Sequence, residues 1–280
     1  VGGWAAHPVV EHLHGPGGLD GQAERQSPLT VLAKTAVERI VYRRAAAFLV
    51  LSTPFGRILQ RRFGIPAERI HVIPGGVDVA RFAIEESRIE CRQRLGWPVG
   101  RPIVLAVRRL MRRMALSELI AATAQIRERI PDVLVLIAGS GPIAAELQAQ
   151  VEALGLTDNV RLLGFVPDDD LPSAYRAANL TVVPTVALEG FGLIVPESLA
   201  AGTPVLVTPI GGLPEAVGGL SERLILSGTG PEAIAQGICD ALTGVLPLPS
   251  ARECLDYARR HYDWPMIAQR IRAVYEEAMR

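Results

Sequence analysis

Residues 180–217, LTVVPTVALEGFGLIVPESLAAGTPVLVTPIGGLPEAV, constrain this chain more than any other stretch. Two apolar runs of strand length each lead into a glycine-broken turn, and a short helical pattern lies between them. Strand, turn, helix and strand in so few residues imply a parallel α/β sheet, because parallel neighbours need a crossover and a helix is the usual one. In such sheets ligands gather at the carboxyl ends of the strands. Glu189 follows the first run, and Glu197 lies eight residues further on, within the helix. Gly190, Phe191 and Gly192 present backbone amides at the helix start, where unpartnered N–H groups and the helix dipole favour an anion. A carboxylate on the same helix does not serve a phosphate; it suits sugar hydroxyls. A phosphate position beside hydroxyl acceptors points to a sugar-nucleotide ligand.

The alternation extends along the chain. A first unit, residues 1–82, shows strand patterns at 9–13, 47–51 and 70–73, with a helix opened by Ser27-Pro28 and another by Thr53-Pro54. Residues 83–100 read as an interdomain connection with a short helix over 86–95. A second unit, 101–262, carries strand patterns at 103–107, 133–138, 160–163, 180–183, 205–207 and 224–226, separated by helices. Residues 263–280 form a terminal helix. Such alternation predicts two Rossmann-like, doubly wound α/β domains. Three strands are too few for a full unit, and the chain opens on Val1, so the amino-terminal half of the first domain is expected to be absent.

Bulk properties exclude several classes. Twenty-nine basic and 29 acidic residues give no net charge, so nothing calls for a nucleic-acid partner. Cys91, Cys239 and Cys254 form no C-x-x-C pair, which argues against structural zinc or a disulfide scaffold and for reduced thiols in a cytoplasmic protein. The apolar runs fall short of the roughly 20 residues of a membrane helix, and no signal peptide is visible. The helix over 29–44 carries Lys34, Arg39, Arg43 and Arg44 along an apolar stretch. It can pack on the sheet with its charges in water, or lie on the inner membrane surface as a peripheral contact.

Further candidate groups stand at strand ends. Arg108, Arg109, Arg112 and Arg113 follow the strand over 103–107, and four guanidinium groups there repel one another unless an anion such as a diphosphate lies among them. Gly139-Ser140-Gly141-Pro142 lacks the lysine of a Walker loop. A tight turn explains its glycines, and a base or ribose packing on the backbone explains them equally. The backbone of Gly164-Phe165-Val166-Pro167 can read a nucleobase edge. Gly211-Gly212 can let a ligand approach closely. His14 ends the first strand and is either structural or faces the cleft.

Taken in order, V-I-P-G-G-V-D, R-R-L-M-R-R-M, I-A-G-S-G-P, N-V-R-L-L-G-F-V-P and E-G-F-G-L-I-V-P-E…G-G-L-P-E resemble the landmarks of GT-B glycosyltransferases, specifically the retaining family four, or group 1, over residues 7–280. The resemblance implies a GT-B architecture with a truncated first domain and transfer of a hexosyl unit from a nucleoside-diphosphate sugar to a saccharide, lipid or small-molecule hydroxyl. It implies that Glu197 binds the ribose, that Glu189 faces the donor sugar, that Gly190, Phe191 and Gly192 hold sugar hydroxyls or the distal phosphate, that Arg109 neutralises the diphosphate, and that His14 contacts the donor sugar. The terminal helix would cross back onto the first domain. The family's lysine and glycine positions are Met114 and Ala115 here, leaving Arg112 or Arg113 as the substitute. No cofactor beyond the co-substrate is expected. No metal is expected either, since no Asp-x-Asp site stands out and fixed positive groups take that role. A chain that only binds the nucleotide sugar is the alternative.

Overall fold

The computed structural model describes residues 8–13 and 27–280. The first unit is a three-stranded parallel sheet in the order β1 (Val9–Leu13), β2 (Ala45–Val50), β3 (Ile70–Val72). Helix α1 (Pro28–Arg44) is capped by Ser27, whose side chain accepts from the Thr30 amide. Helix α2 (Thr53–Phe63) stops at Gly64 in the left-handed conformation. Alternation along β2 separates two cores, as strand geometry requires. Phe48 and Val50 join Tyr42, Phe55 and Leu59 on one face, while Ala47 and Leu49 join Ile73 on the other. Helix α1 buries Val31 and Tyr42 but leaves Leu29, Leu32, Val37 and Ile40 mostly exposed.

Residues 83–100 are not a free connection. Short helix α3 (Val79–Phe82) and helix α4 (Arg88–Leu95) belong to the second unit's core, which takes in Val77, Phe82, Cys91 and Trp97. Buried Arg92 fastens this segment: its guanidinium donates to the carbonyls of Ala177, Val99 and Arg101 and to Asn179 Oδ1.

The second unit continues through β4 (Ile103–Val107), α5 (Leu116–Arg129), β5 (Leu134–Ala138), α6 (Ala144–Ala153), β6 (Val160–Gly164), α7 (Leu171–Ala177), β7 (Leu180–Val183), α8 (Ile194–Ala200), β8 (Val205–Val207), α9 (Leu213–Gly218), α10 (Pro231–Thr243) and α11 (Ala251–Tyr262). Its five strands are parallel in the order β6-β5-β4-β7-β8. The strand expected over 224–226 is a correction: a 3-10 turn, Glu222–Leu224, runs into a single bridge between Ile225 and Val207. β4, β5 and β7 are buried almost throughout, hence their runs rich in Val, Ile and Leu, broken in β7 only by buried Thr181. Strand order reverses between β4 and β7, where an open parallel sheet parts its loops into a crevice.

Helix α12 (Trp264–Ala278) returns to the first unit and places Ile267 and Val274 against Ala47, Leu49 and Ile73. The two crossing points are tied together: Val77 N donates to Tyr262 O, and Trp264 N to Val77 O. A second tie lies opposite, where Glu215 of α9 accepts the Thr53 amide at the start of α2, at 3.0 Å. All three cysteines are buried free thiols, and among the described residues no helix is long and apolar enough to cross a membrane.

Candidate active site

A cleft of about 590 Å³ opens at the reversal between β4 and β7. Arg108, Arg109, Arg113, Gly139, Val166, Glu189, Gly190, Phe191 and Gly192 all line it. Gly190, Phe191 and Gly192 are buried, and among the described residues their amides donate no hydrogen bond. Helix α8 starts only at Ile194, so these amides belong to the loop before it.

The four arginines separate. Arg108 is buried at the end of β4 and pairs with Glu189 Oε2; the same nitrogen reaches Thr185 Oγ1 at 2.6 Å and Met114 Sδ at 2.8 Å. Arg112 points away and binds both oxygens of Glu146 at 2.8–2.9 Å. Arg113 turns to the cleft and donates to Leu188 O at 3.1 Å. Arg109 is exposed on the wall, and its side chain makes no hydrogen bond or ion pair among the described residues. Mutual repulsion among four guanidiniums is therefore relieved largely within the protein, which corrects the expectation that an anion must hold them together. Arg109 keeps its charge for a ligand.

Two glycine readings resolve as packing. A Cβ on Gly211 would collide with Glu189 O, and one on Gly212 with Gly190 O and with Ser52 of the first unit. What approaches these glycines is the Glu189 loop, fastened by Gly212 N donating to Glu189 O. Gly139 and Gly141 sit against the backbone of Arg108 and Leu110 in the same way, and Gly141 is not on the cleft wall. His14 lies outside the described residues.

Two comparisons decide the family. The model of the glycosyl transferases group 1 matches residues 87–261, and that of glycosyltransferase family 4 matches residues 2–81. The chain belongs to the group 1 glycosyltransferases. It is 33% identical over 193 residues to the 2-deoxystreptamine glucosyltransferase of Streptomyces kanamyceticus, covering 68% of this chain and 50% of that protein. It is 35% identical over 245 residues to the D-inositol 3-phosphate glycosyltransferase of Salinispora arenicola, covering 81% and 53%. The chain spans about half the length of these curated relatives. Among solved structures, Anabaena HepE in complex with UDP and glucose superposes with a TM-score of 0.80 at 25% identity, covering 96% of this chain and 71% of that one.

Within this group 1 glycosyltransferase chain, Glu197 stands back from the cleft. Ile194, one turn earlier, is on the wall, and Glu197 Oε2 accepts from the Tyr175 hydroxyl at 2.7 Å. Burial raises the Glu197 carboxyl above its ordinary value and Asp168 adds to this, while the Tyr175 hydrogen bond and Arg81 oppose it. Burial likewise drives the fully enclosed Tyr175 hydroxyl well above its usual range. A raised value means that the folded state holds the proton more tightly than the unfolded chain. Glu197 therefore contributes most below about pH 4, and this contribution is lost as pH rises through its folded value. Glu197→Gln keeps an acceptor for Tyr175 and has no such dependence. Urea unfolding of both proteins at about pH 4 and pH 7.5 is expected to show the variant gaining on the parent at the higher pH; an unchanged difference would remove the burial argument.

Sequence reasoning did not single out the side chains of three residues here. Arg108 was one of four arginines, with nothing local to mark it as Glu189's partner. Asp168 lines the cleft and acts electrostatically on Glu197. With Asp170 it makes an Asp-x-Asp run, which corrects the expectation that none stands out; Asp170 lies near Arg94, at 3.9 Å. Among the described residues no group of three or more His, Cys, Asp or Glu side chains is arranged to hold a metal. Phe165, 74% exposed, projects at the cleft beside Val166. Its signal was a large aromatic inside a Gly-Phe-Val-Pro turn.

Proposed function

We propose that this chain binds a nucleoside-diphosphate sugar in the cleft between β4 and β7 and, in the active protein, passes its hexosyl unit to an acceptor hydroxyl with retention of configuration. One observation carries the reading: the uncommitted Arg109 guanidinium and the unpartnered amides of Gly190, Phe191 and Gly192 line the same cleft. Fixed donors of this kind stabilise negative charge as it develops on a leaving diphosphate. The bond between the anomeric carbon and the diphosphate oxygen breaks, the acceptor oxygen bonds to that carbon, and the acceptor proton is released. Glu189 is suited to the sugar because its carboxylate, anchored by Arg108 and Thr185, still reaches the cleft. Phe165 offers a face for the base, and Glu197, set one helical turn behind Ile194 and hydrogen-bonded to Tyr175, is the acceptor proposed for the ribose at the back of the cleft. HepE, solved with UDP-glucose, supports a donor of this class.

Calorimetric titration with UDP-glucose, GDP-mannose and ADP-glucose tests the reading. One of the three is expected to bind, and Glu197→Ala is expected to weaken it by about 1–3 kcal/mol, the scale of hydrogen bonds to a charged group. Arg109→Ala should depress donor binding and turnover while leaving thermal unfolding nearly unchanged, since its guanidinium holds nothing in the described structure. A collapse of stability in Arg109→Ala would make the arginine structural, and silence with all three donors would end the proposal.

Binding without transfer is a second reading, favoured by Met114. It occupies the position where the resemblance expects a lysine, and its sulfur abuts Arg108. Donor consumption measured beside donor binding separates the two.

A further inference from the structure

We infer that a small apolar cavity next to the donor cleft receives an apolar group of the acceptor, about the size of one six-membered ring. This rests on the reading of the cleft as a glycosyl donor site. The cavity has a volume of about 170 Å³ and lies where the carboxyl ends of β1, β2 and β3 meet α12. Its lining is mostly apolar, with Leu13, Leu49, Ile73, Ile267, Ile271 and Trp264; the one polar side chain on it among the described residues, His12, is hydrogen-bonded to the Tyr275 hydroxyl.

Size fixes the guest. A dry cavity of about 150 Å³ with such walls takes up benzene, whereas a whole drug-sized ligand fills at least about 300 Å³. The space therefore holds part of a ligand. Chemistry fixes it too. A sugar ring placed there would lose hydrogen bonds for its hydroxyls, at a cost no aliphatic wall returns.

Location ties the guest to the reaction. Leu51 and Leu193 line both this cavity and the donor cleft, so the two spaces share a wall. Leu193 follows directly on Gly192, which also lines the cleft. A molecule with its apolar end in the cavity therefore presents its adjoining atoms to the cleft from the first unit's side. Leu193 and Trp264, both on the cavity lining, are 50% and 49% exposed. Large apolar side chains half-uncovered around a hollow are what a ligand groove presents. The acceptor class is a hydroxyl compound carrying a phenyl-sized or short alkyl group next to its reacting alcohol.

The test uses phenyl β-D-glucopyranoside and methyl β-D-glucopyranoside as probes, titrated by ligand-observed NMR. Phenyl glucoside is expected to bind roughly tenfold or more tighter, the return for burying one ring. Ile271→Trp, which places an indole in the cavity from a partly buried position on α12, is expected to abolish that preference while leaving affinity for whichever of the three nucleotide sugars binds within about twofold. His12→Phe provides a second variant at the cavity's edge, and its added apolar surface should sharpen the preference. Equal binding of the two glucosides, including no binding of either, overturns the inference, as does a preference that survives Ile271→Trp in a folded protein. A phenyl preference lost in Ile271→Trp, with no nucleotide sugar bound by the parent protein, would leave the cavity standing and refute the donor reading instead.

Discussion

Arg108→Ala is expected to cost about 3–5 kcal/mol of folding stability, the range for removing one partner of a buried ion pair. Arg108 and Glu189 keep only 5% and 12% of their side-chain surface in contact with solvent. Taking the guanidinium away leaves a carboxylate whose remaining side-chain hydrogen-bond partner among the described residues is Thr185 Oγ1, at 3.2 Å. One hydroxyl does not offset a desolvated charge. Urea denaturation gives the number, and the second arm identifies the cause. Glu189→Gln in the Arg108→Ala background removes the stranded charge, so the double variant should recover a large part of the loss. Non-additivity of about 1–3 kcal/mol is the expected signature of such a contact. Additive effects, or a single-variant loss under about 1 kcal/mol, would mean that the pair does not hold this loop.

The same pair shows where sequence ceased to be informative. Parallel sheet, strand ends and cleft were legible because they are local: apolar runs mark buried strands, and glycine turns mark the places where strands hand over to helices. The strands over 103–107 and 180–183 emerge with the boundaries their patterns imply. Ile225 was misread because three apolar residues suffice for a strand pattern but also for one bridge after a 3-10 turn. Arg108 could not be separated from Arg109, since strand pleat decides which of two neighbours points inward, and the pleat's phase is set by packing on β5 and β7. Likewise, nothing within G-S-G-P or I-G-G-L-P reveals that another loop's backbone occupies the space above the glycine.

That hidden contact gives Gly211→Ala the second large expected effect: a loss of more than about 3 kcal/mol, with donor binding weakened as well. Two separate costs combine. Gly211 has φ of +56°, the left-handed region, where an L-residue is disfavoured by roughly 1–2 kcal/mol. Its new methyl would also be driven into the carbonyl oxygen of Glu189, backbone against backbone, with no side-chain rotation to relieve it. Gly64 separates the terms. It has nearly the same φ, +68°, yet a Cβ built there meets nothing within 4 Å. Gly64→Ala should therefore show the conformational cost alone, and the excess in Gly211→Ala measures the collision. Because the displaced atom belongs to Glu189, whose loop continues into Gly190, Phe191 and Gly192, the strain is relieved by moving the amides proposed to meet the diphosphate. Gly64→Ala, just past the end of α2 in the other unit, should leave nucleotide-sugar affinity unchanged. Equal losses for the two variants would mean that the Glu189 loop yields without resistance, and then neither its amides nor its carboxylate could act as a preorganised site.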